Sequence, residues 1–290
     1  MSHDGSHRNG DSHDVRHSQQ WPRRIAIALL GLLFFLPLYW IAISALRPAD
    51  DIFRYISNLG LWTLLPNRVT FHNITELWTG FFGRAILNSL WVSLLTVTVG
   101  LAVCAPAAFA LAVIDFRGRA FIFGAMIISF LIPFDAIAPP LYFVLRDFGL
   151  QDTFTGLVLP GVGNGLTVFL LRQFFAGIPR ELSDAAKVDG MGWFQIFWRI
   201  YLPLSRPALV SGALILFIFQ WQAYLWPLLI APSDDHKVAA VAIAQYTSVF
   251  DVNYGLTFAG ALFISLIPMV ILTLMQRYYT SSVASTGGKE

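Results

Sequence analysis

Trp221, Gln222 and Tyr224 lie close together in one apolar run, two kinds of aromatic face and an amide that together suit a hydroxyl-bearing ring. Tyr224 and Trp226 also sit toward the end of that run, where aromatics commonly settle at a membrane interface. Asp135 lies between Pro133 and Pro139-Pro140 inside another apolar stretch. A carboxylate there is costly, so it reads either as a group on a solvated pathway or as one packed near a polar neighbour. The run Gly161-Val162-Gly163-Asn164-Gly165 lacks the strand-turn-helix setting of a nucleotide fingerprint and reads as a packing or hinge feature. Gly288-Lys289 lacks the upstream glycines that cradle phosphates, and no His-Glu-x-x-His, serine elbow or Cys/His pairing occurs. Cys104 is the single cysteine, so neither a disulfide nor a cysteine metal site is available. His3, His7, His13 and His17 are irregularly spaced among Ser, Gly and Asp; they read as part of a disordered cytosolic tail over residues 1–22 rather than a metal site.

The elements carrying these residues are set by composition. Of 290 residues, 56% are hydrophobic and 12% charged, more apolar than a water-soluble domain needs. Six windows are long enough to cross about 30 Å of hydrocarbon: residues 24–46, 85–112, 121–146, 154–176, 207–231 and 257–277. They are too long for barrel strands and lack a period of two, so the expected fold is an all-α integral membrane protein with six transmembrane helices. The first apolar run continues far past signal-peptide length and reads as a retained span. With the N-terminus inside, thirteen of the 19 Lys and Arg fall on the inner side and six outside, which predicts that both termini are cytoplasmic. The formal charge of +2 comes from short clusters beside apolar runs, not from a basic stripe, so nucleic acid is excluded as a partner and the lipid bilayer is expected.

Between the fourth and fifth windows lies a segment of another character, residues 177–206. Pro179 suits a first helical turn and Glu181 complements the helix dipole there. Leu182, Ala185, Ala186 and Asp189 then share one face, and the two alanines leave it shallow enough for another surface to approach. Gly190 and Gly192 end that helix; a second short one follows with Trp193, Ile196, Phe197 and Ile200 on one side, until Pro203 and Pro207 hand over to the fifth window. The expected product is a bent helical pair presented to the cytosol.

The string Glu181-Leu182-Ser183-Asp184-Ala185-Ala186-Lys187-Val188-Asp189-Gly190, followed by Phe197, Ile200 and Leu202-Pro203-Leu204, resembles the EAA loop of binding-protein-dependent ABC importer permeases. Asp184 stands where that motif usually has Glu, and Met191 where Ala is common. Further segments are similar to the maltose-type branch, specifically its MalG-like half: Asn88-Ser89-Leu90, residues 107–112, Ile132-Pro133, Pro140-Leu141-Tyr142, Leu150-Gln151-Asp152-Thr153, and Trp221-Gln222-Ala223-Tyr224-Leu225-Trp226-Pro227-Leu228 with Gln222 replacing the usual Asn. The resemblance covers nearly the whole chain.

It implies a type I importer permease bundle over residues 23–280, flanked by cytosolic tails at 1–22 and 281–290; the latter departs from the Gly-rich tail of many relatives. It also implies ATPase coupling through Glu181, Asp184, Ala185, Ala186, Asp189, Gly190, Phe197 and Pro203, with Asp135, Trp221, Gln222 and Tyr224 as pathway candidates. The implied partners are a second homologous permease, two ATPase subunits that bind the ATP and Mg, and an extracytoplasmic solute-binding protein. No cofactor is expected in this chain, and the cargo is a carbohydrate or similar polar solute, with glycerol phosphate as a further option. The rival readings are an ion-coupled secondary transporter using Asp135, and an integral membrane enzyme.

Overall fold

The computed structural model describes residues 20–54, 60–247 and 252–286. The four tail histidines and residues 287–290 of the expected C-terminal tail lie outside those ranges. The described residues are overwhelmingly helical, with one isolated bridge between Thr247 and Val252.

Three helices are long and apolar enough to cross a membrane unaided: α1 (Gln20–Ala45), α2 (Phe82–Val113) and the last helix, Tyr254–Thr286. The 32 residues of α2 extend about 48 Å at 1.5 Å each, well beyond the hydrocarbon thickness. The last helix continues past the expected boundary at residue 280, into the segment expected as a tail.

The other expected spans are broken, each for a reason written in its sequence. The third divides into α3 (Arg119–Leu131) and α4 (Phe134–Asp147), bent by 99°. Ile132, which precedes Pro133, is extended at φ −75°, ψ 124°, because the proline ring disfavours helical backbone just before it. The fourth divides into α5 (Phe154–Val162) and α6 (Gly165–Ala176), bent by 42°, where Asn164 restarts the helix by accepting from the Thr167 N–H at 2.8 Å. The window 207–231, expected as one helix, is instead Arg206–Trp221 followed by the short Leu225–Ile230. Pro227 removes the N–H that a continuous helix would bond to residue 223 and crowds that carbonyl. By length and composition the described residues reach six crossings only when each bent pair is taken as one, the third such pair being Trp193–Leu204 with Arg206–Trp221, bent by 84°.

The helix α2 is the centre of the bundle, packed against α5, α6 and Arg206–Trp221, while α1 lies at the periphery along the last helix. Gly100 sits at the α2 contact with Arg206–Trp221: a Cβ there would stand 2.9 Å from Leu216 Cδ1, so a larger residue would force the Leu216 side chain to shift.

The two ends of the bundle are tied separately. At one end, Asp115 pairs with Arg119 at 2.7 Å and Arg180 at 3.6 Å. At the other, Arg84 pairs with Asp235, and Asn88 donates to the Asp235 and Lys237 carbonyls at 2.8 and 3.0 Å. Ser89 accepts from the Ala239 N–H at 2.8 Å. Asp152, with φ +56°, accepts from the Ser233 hydroxyl at 2.8 Å, and Thr153 caps α5 by accepting from the Gly156 N–H. Arg47 is buried there too, donating to the carbonyls of Trp62 and Thr63 at 2.8 and 2.9 Å, so that the loop after α1 is strapped to its end. The Asn88-Ser89 and Asp152-Thr153 motifs are thus fastenings of loops to helix ends.

Candidate functional site

The segment 177–206 forms a helical pair. The first member, α7 (Arg180–Val188), starts behind Pro179, carries Glu181 in its first turn and Lys187 in its last, and so matches the helix dipole at both ends. Its C-terminus is closed by Gly190 N–H donating to the Lys187 carbonyl at 2.9 Å and Met191 N–H donating to the Ala186 carbonyl at 2.9 Å. Gly190 is left-handed, with φ +81°, the conformation helix-ending glycines supply. The second member, α8 (Trp193–Ile196), continues through a π-helical turn, Phe197–Tyr201, to Leu202–Leu204. It then bends by 84° into Arg206–Trp221, labelled α9.

One side of the pair is glued to the bundle. Ser183 Oγ and Tyr201 OH share a buried hydrogen bond of 2.8 Å. Around it Phe109 of α2 meets Tyr201, Phe197, Trp193 and Phe175, with ring centroids 5.0, 5.2, 6.3 and 6.3 Å away. The Lys187 ammonium stands over the Trp193 ring at 3.8 Å, tying the two helices to each other. The other side faces out. Glu181, Leu182, Asp184, Ala185, Asp189 and Pro203 are exposed, as are Val188 at 88% and Phe194 at 74%, with Trp198 and Leu204 beside them.

The expected shared face is therefore split. Leu182, Ala185 and Asp189 are exposed, but Ala186 is 5% exposed and packs inward next to Ser183, and Phe197 is likewise buried. At 100° per residue, Ser183 and Ala186 form the edge that meets the bundle, so the shallow alanine receives the chain's own core rather than a foreign surface. Ser183 and Tyr201 were missed by sequence reasoning. The signal was their polarity at positions in phase with the buried Ala186 and Phe197.

The four pathway candidates are not gathered together. Asp135 is exposed in the first turn of α4, just after the Pro133 break. Trp221 is 4% exposed, stacks on Phe217 and donates its Nε1 hydrogen to the Ile264 carbonyl at 3.0 Å, so it faces the last helix. Gln222 and Tyr224 are exposed at the break between α9 and the following short helix, α10 (Leu225–Ile230). None of these four lines the cavity of about 440 Å³ that lies between α2, α3, α5 and α9.

That cavity takes Gln220, Ala223 and Trp226 from the same region instead, with Thr96 from α2, Ser129 and Phe130 from α3, Phe134 from α4 and Asn164 from the glycine-rich run. Thr96 donates to Gln220 Oε1 at 3.2 Å, and Trp226 donates to the Gly156 carbonyl at 3.1 Å. No residue lining it is charged. Gln220 and Trp221 both precede the break at 222–224 and stand about 100° apart on α9, so Gln220 faces the cavity and Trp221 the last helix.

The chain and its helical fold have known counterparts. Residues 100–284 match the family described as binding-protein-dependent transport system inner membrane component. The chain is 31% identical over 273 residues to the arabinooligosaccharides transport system permease protein AraQ of Halalkalibacterium halodurans, covering 93% of this chain and 96% of that one. It is 31% identical over 269 residues to the sn-glycerol-3-phosphate transport system permease protein UgpE of Yersinia pestis, covering 89% and 94%. The fold is that of a chain in a bacterial ABC transporter involved in importing the acidic polysaccharide alginate, with a TM-score of 0.76 at 20% identity over 94% of this chain and 99% of that one. The chain belongs to the binding-protein-dependent transport system inner membrane component family, as a multi-pass permease subunit rather than an enzyme.

Proposed function

We propose that this permease carries a carbohydrate or similar polar solute, glycerol phosphate included, into a bacterial cell, driven by ATPases docked on the pair 177–206. The observation that carries the coupling half of this reading is the outward side of that pair. Leu182, Val188, Phe194, Trp198 and Leu204 expose apolar surface on a segment braced from behind by Phe109 and the Ser183–Tyr201 bond. Apolar side chains clustered on such a segment call for a protein partner. Glu181, Asp184, Ala185, Asp189, Gly190 and Pro203 belong to the docking face or its bend, while Ala186 and Phe197 hold it to the bundle. The solute class is supported by the names of the relatives.

In the proposed assembly a second homologous permease completes the path, two ATPase subunits bind ATP and Mg, and an extracytoplasmic binding protein delivers the solute. Closure of the ATPases moves the pair, and the bundle alternates between inward and outward access. Sealed vesicles containing the whole complex should take up solute only with ATP, and should continue when proton and sodium gradients are collapsed. Robust accumulation by this chain alone, driven by an ion gradient in liposomes, would revive the secondary-transporter reading, with Asp135 the first residue to test.

Six crossings with both termini cytoplasmic complete the proposal, with residues 1–22 and 281–290 as cytosolic flanks of the permease domain. The charge excess and the separate tying of the two bundle ends support it. A cysteine placed beside Asp235 should react with an impermeant thiol reagent from outside, and one beside Lys187 should not. The reverse labelling pattern would overturn the orientation.

A further inference from the structure

Between the first two spans the chain folds back along α1. A single helical turn, Leu61–Leu64, is fastened there: the Tyr39 hydroxyl donates to the Leu64 carbonyl, and Arg47 Nη2 donates to those of Trp62, Thr63 and Leu65 at 2.8, 2.9 and 3.2 Å. Tyr39 sets the depth. Residues 25–46 carry no charge, and about 30 Å of hydrocarbon counted from Arg24 takes about 20 helical residues, ending near Ser44. Tyr39 stands about five residues, or roughly 8 Å, short of that level, so the Leu64 carbonyl is held below the surface at which α1 emerges.

Every carbonyl from Gly60 to Leu65 is satisfied within the chain. Besides the four bonded by Tyr39 and Arg47, Gly60 accepts from the Thr63 N–H at 3.0 Å and Leu61 from the Leu65 N–H at 2.9 Å. Thr63 is buried, its hydroxyl accepting from the Gly60 N–H at 3.0 Å. The other side chains of the turn do the reverse: Leu61, Trp62, Leu64 and Leu65 are 65%, 48%, 52% and 46% exposed, and none is charged. Backbone with its carbonyls closed, turning apolar side chains outward, meets the demand of hydrocarbon, which offers no water to an open polar group. The patch is continuous with the outward side of α1, where Leu32, Phe35 and Leu36 are more than half exposed on a membrane-crossing helix. Tyr39 and Trp62 suit the aromatic belt at a membrane interface. Just past the turn, Arg68 is exposed and has no ion partner among the described residues, a cation at the height of lipid headgroups.

We infer that residues 60–65 form a re-entrant wedge seated among the acyl chains of the leaflet at the C-terminal end of α1, with lipid and not protein as its partner. The wedge pins the loop between the first two spans to the bilayer, so that this loop travels with α1. It requires the membrane but not ATP coupling, and so stands apart from the importer reading; only the choice of the outer leaflet rests on the orientation proposed above.

The test places a nitroxide on single cysteines substituted for Leu61, Leu64, Leu65 and Arg68, in the complete complex reconstituted into vesicles of phosphatidylcholine and phosphatidylglycerol. Collisions with oxygen, which concentrates among acyl chains, are compared with collisions with a water-soluble nickel chelate. The unsubstituted complex, in which Cys104 of this chain is buried, gives the blank. All four positions are exposed, so the labels displace no packed side chain. Oxygen collisions should dominate at 61, 64 and 65 and nickel collisions at 68, and adding the extracytoplasmic binding protein should leave the first three unchanged. Nickel access at 61, 64 and 65 would overturn the wedge, and loss of that access on adding the binding protein would make the patch a protein-docking surface. Exclusion of both reagents would overturn it as well, by showing the turn covered by another subunit. Labelling of Arg68→Cys by an impermeant thiol reagent from the inside alone would instead overturn the outer-leaflet assignment and the orientation on which it rests.

Discussion

Gly190→Val is expected to abolish solute uptake while the subunit remains inserted in the membrane. Gly190 holds φ at +81°, and from that conformation its N–H and that of Met191 close the end of α7 on the Lys187 and Ala186 carbonyls. A Cβ at this position would meet nothing within 4 Å, so the penalty is in the backbone and not in a collision. Left-handed backbone costs an L-residue about 1–2 kcal/mol, and a β-branched one more. Valine escapes by rotating the turn, which swings α7 relative to α8 and separates Leu182 and Val188 from Phe194 and Trp198. The proposed docking face would then be split. Asparagine, although larger than alanine, enters the left-handed region readily, so Gly190→Asn should keep a substantial fraction of uptake. Equal loss in both variants would point to bulk at a contact instead, and normal uptake by the valine variant would sink the docking-loop reading. Quantitative membrane fractionation alongside the uptake assay separates failed insertion from failed coupling.

The turn at Gly190 was legible because one residue type, at one spacing from Pro179 and Glu181, satisfies a local backbone demand. The long helices were legible for a similar reason: α1, α2 and the last helix each follow from a continuous apolar run. The failures share a cause. Helical phase assigns faces only while a helix continues, and the window 207–231 breaks after Trp221, so the expected cluster of Trp221, Gln222 and Tyr224 is dispersed. Ala186 shows the same limit at smaller scale. Its small side chain suits either a foreign surface or the chain's own core, and only the packing of Ser183 against Tyr201 decides between them. The cavity could not be foreseen, because Thr96, Asn164 and Gln220 come from three helices with nothing local to announce their meeting. The proline and glycine positions that frame it were visible as breaks, but convergence of breaks is a tertiary fact.

Phe109→Ala should separate ATP hydrolysis from transport. Phe109 is 4% exposed and is the α2 side chain around which Phe175, Trp193, Phe197 and Tyr201 assemble, so it links the membrane bundle to the back of the docking pair. Truncation of a buried phenylalanine costs about 3–5 kcal/mol through lost burial and the cavity left behind. The four ring contacts suffer together, because each has Phe109 as one partner. The outward face of the pair keeps its apolar residues, so the proposed ATPase contact should survive. Its movement, however, is now absorbed in the void between Tyr201 and α2 rather than delivered to the helices that line the cavity. Solute moved per ATP hydrolysed should fall about tenfold or more, the equivalent of about 1.4 kcal/mol or greater lost from the coupling. Phe109→Leu, which retains most of the volume, should lose far less. Tyr201→Phe keeps the ring stack and strands only the Ser183 hydroxyl, so it should loosen the pair by about 1–3 kcal/mol without emptying the hub. The measurements are uptake and ATP hydrolysis on the same proteoliposomes, with protease sensitivity of residues 177–206 as the structural readout. An unchanged transport-to-hydrolysis ratio in Phe109→Ala, with the segment still protected, would show that force passes to the bundle through the covalent bend at Ser205 into α9 and not through the aromatic hub.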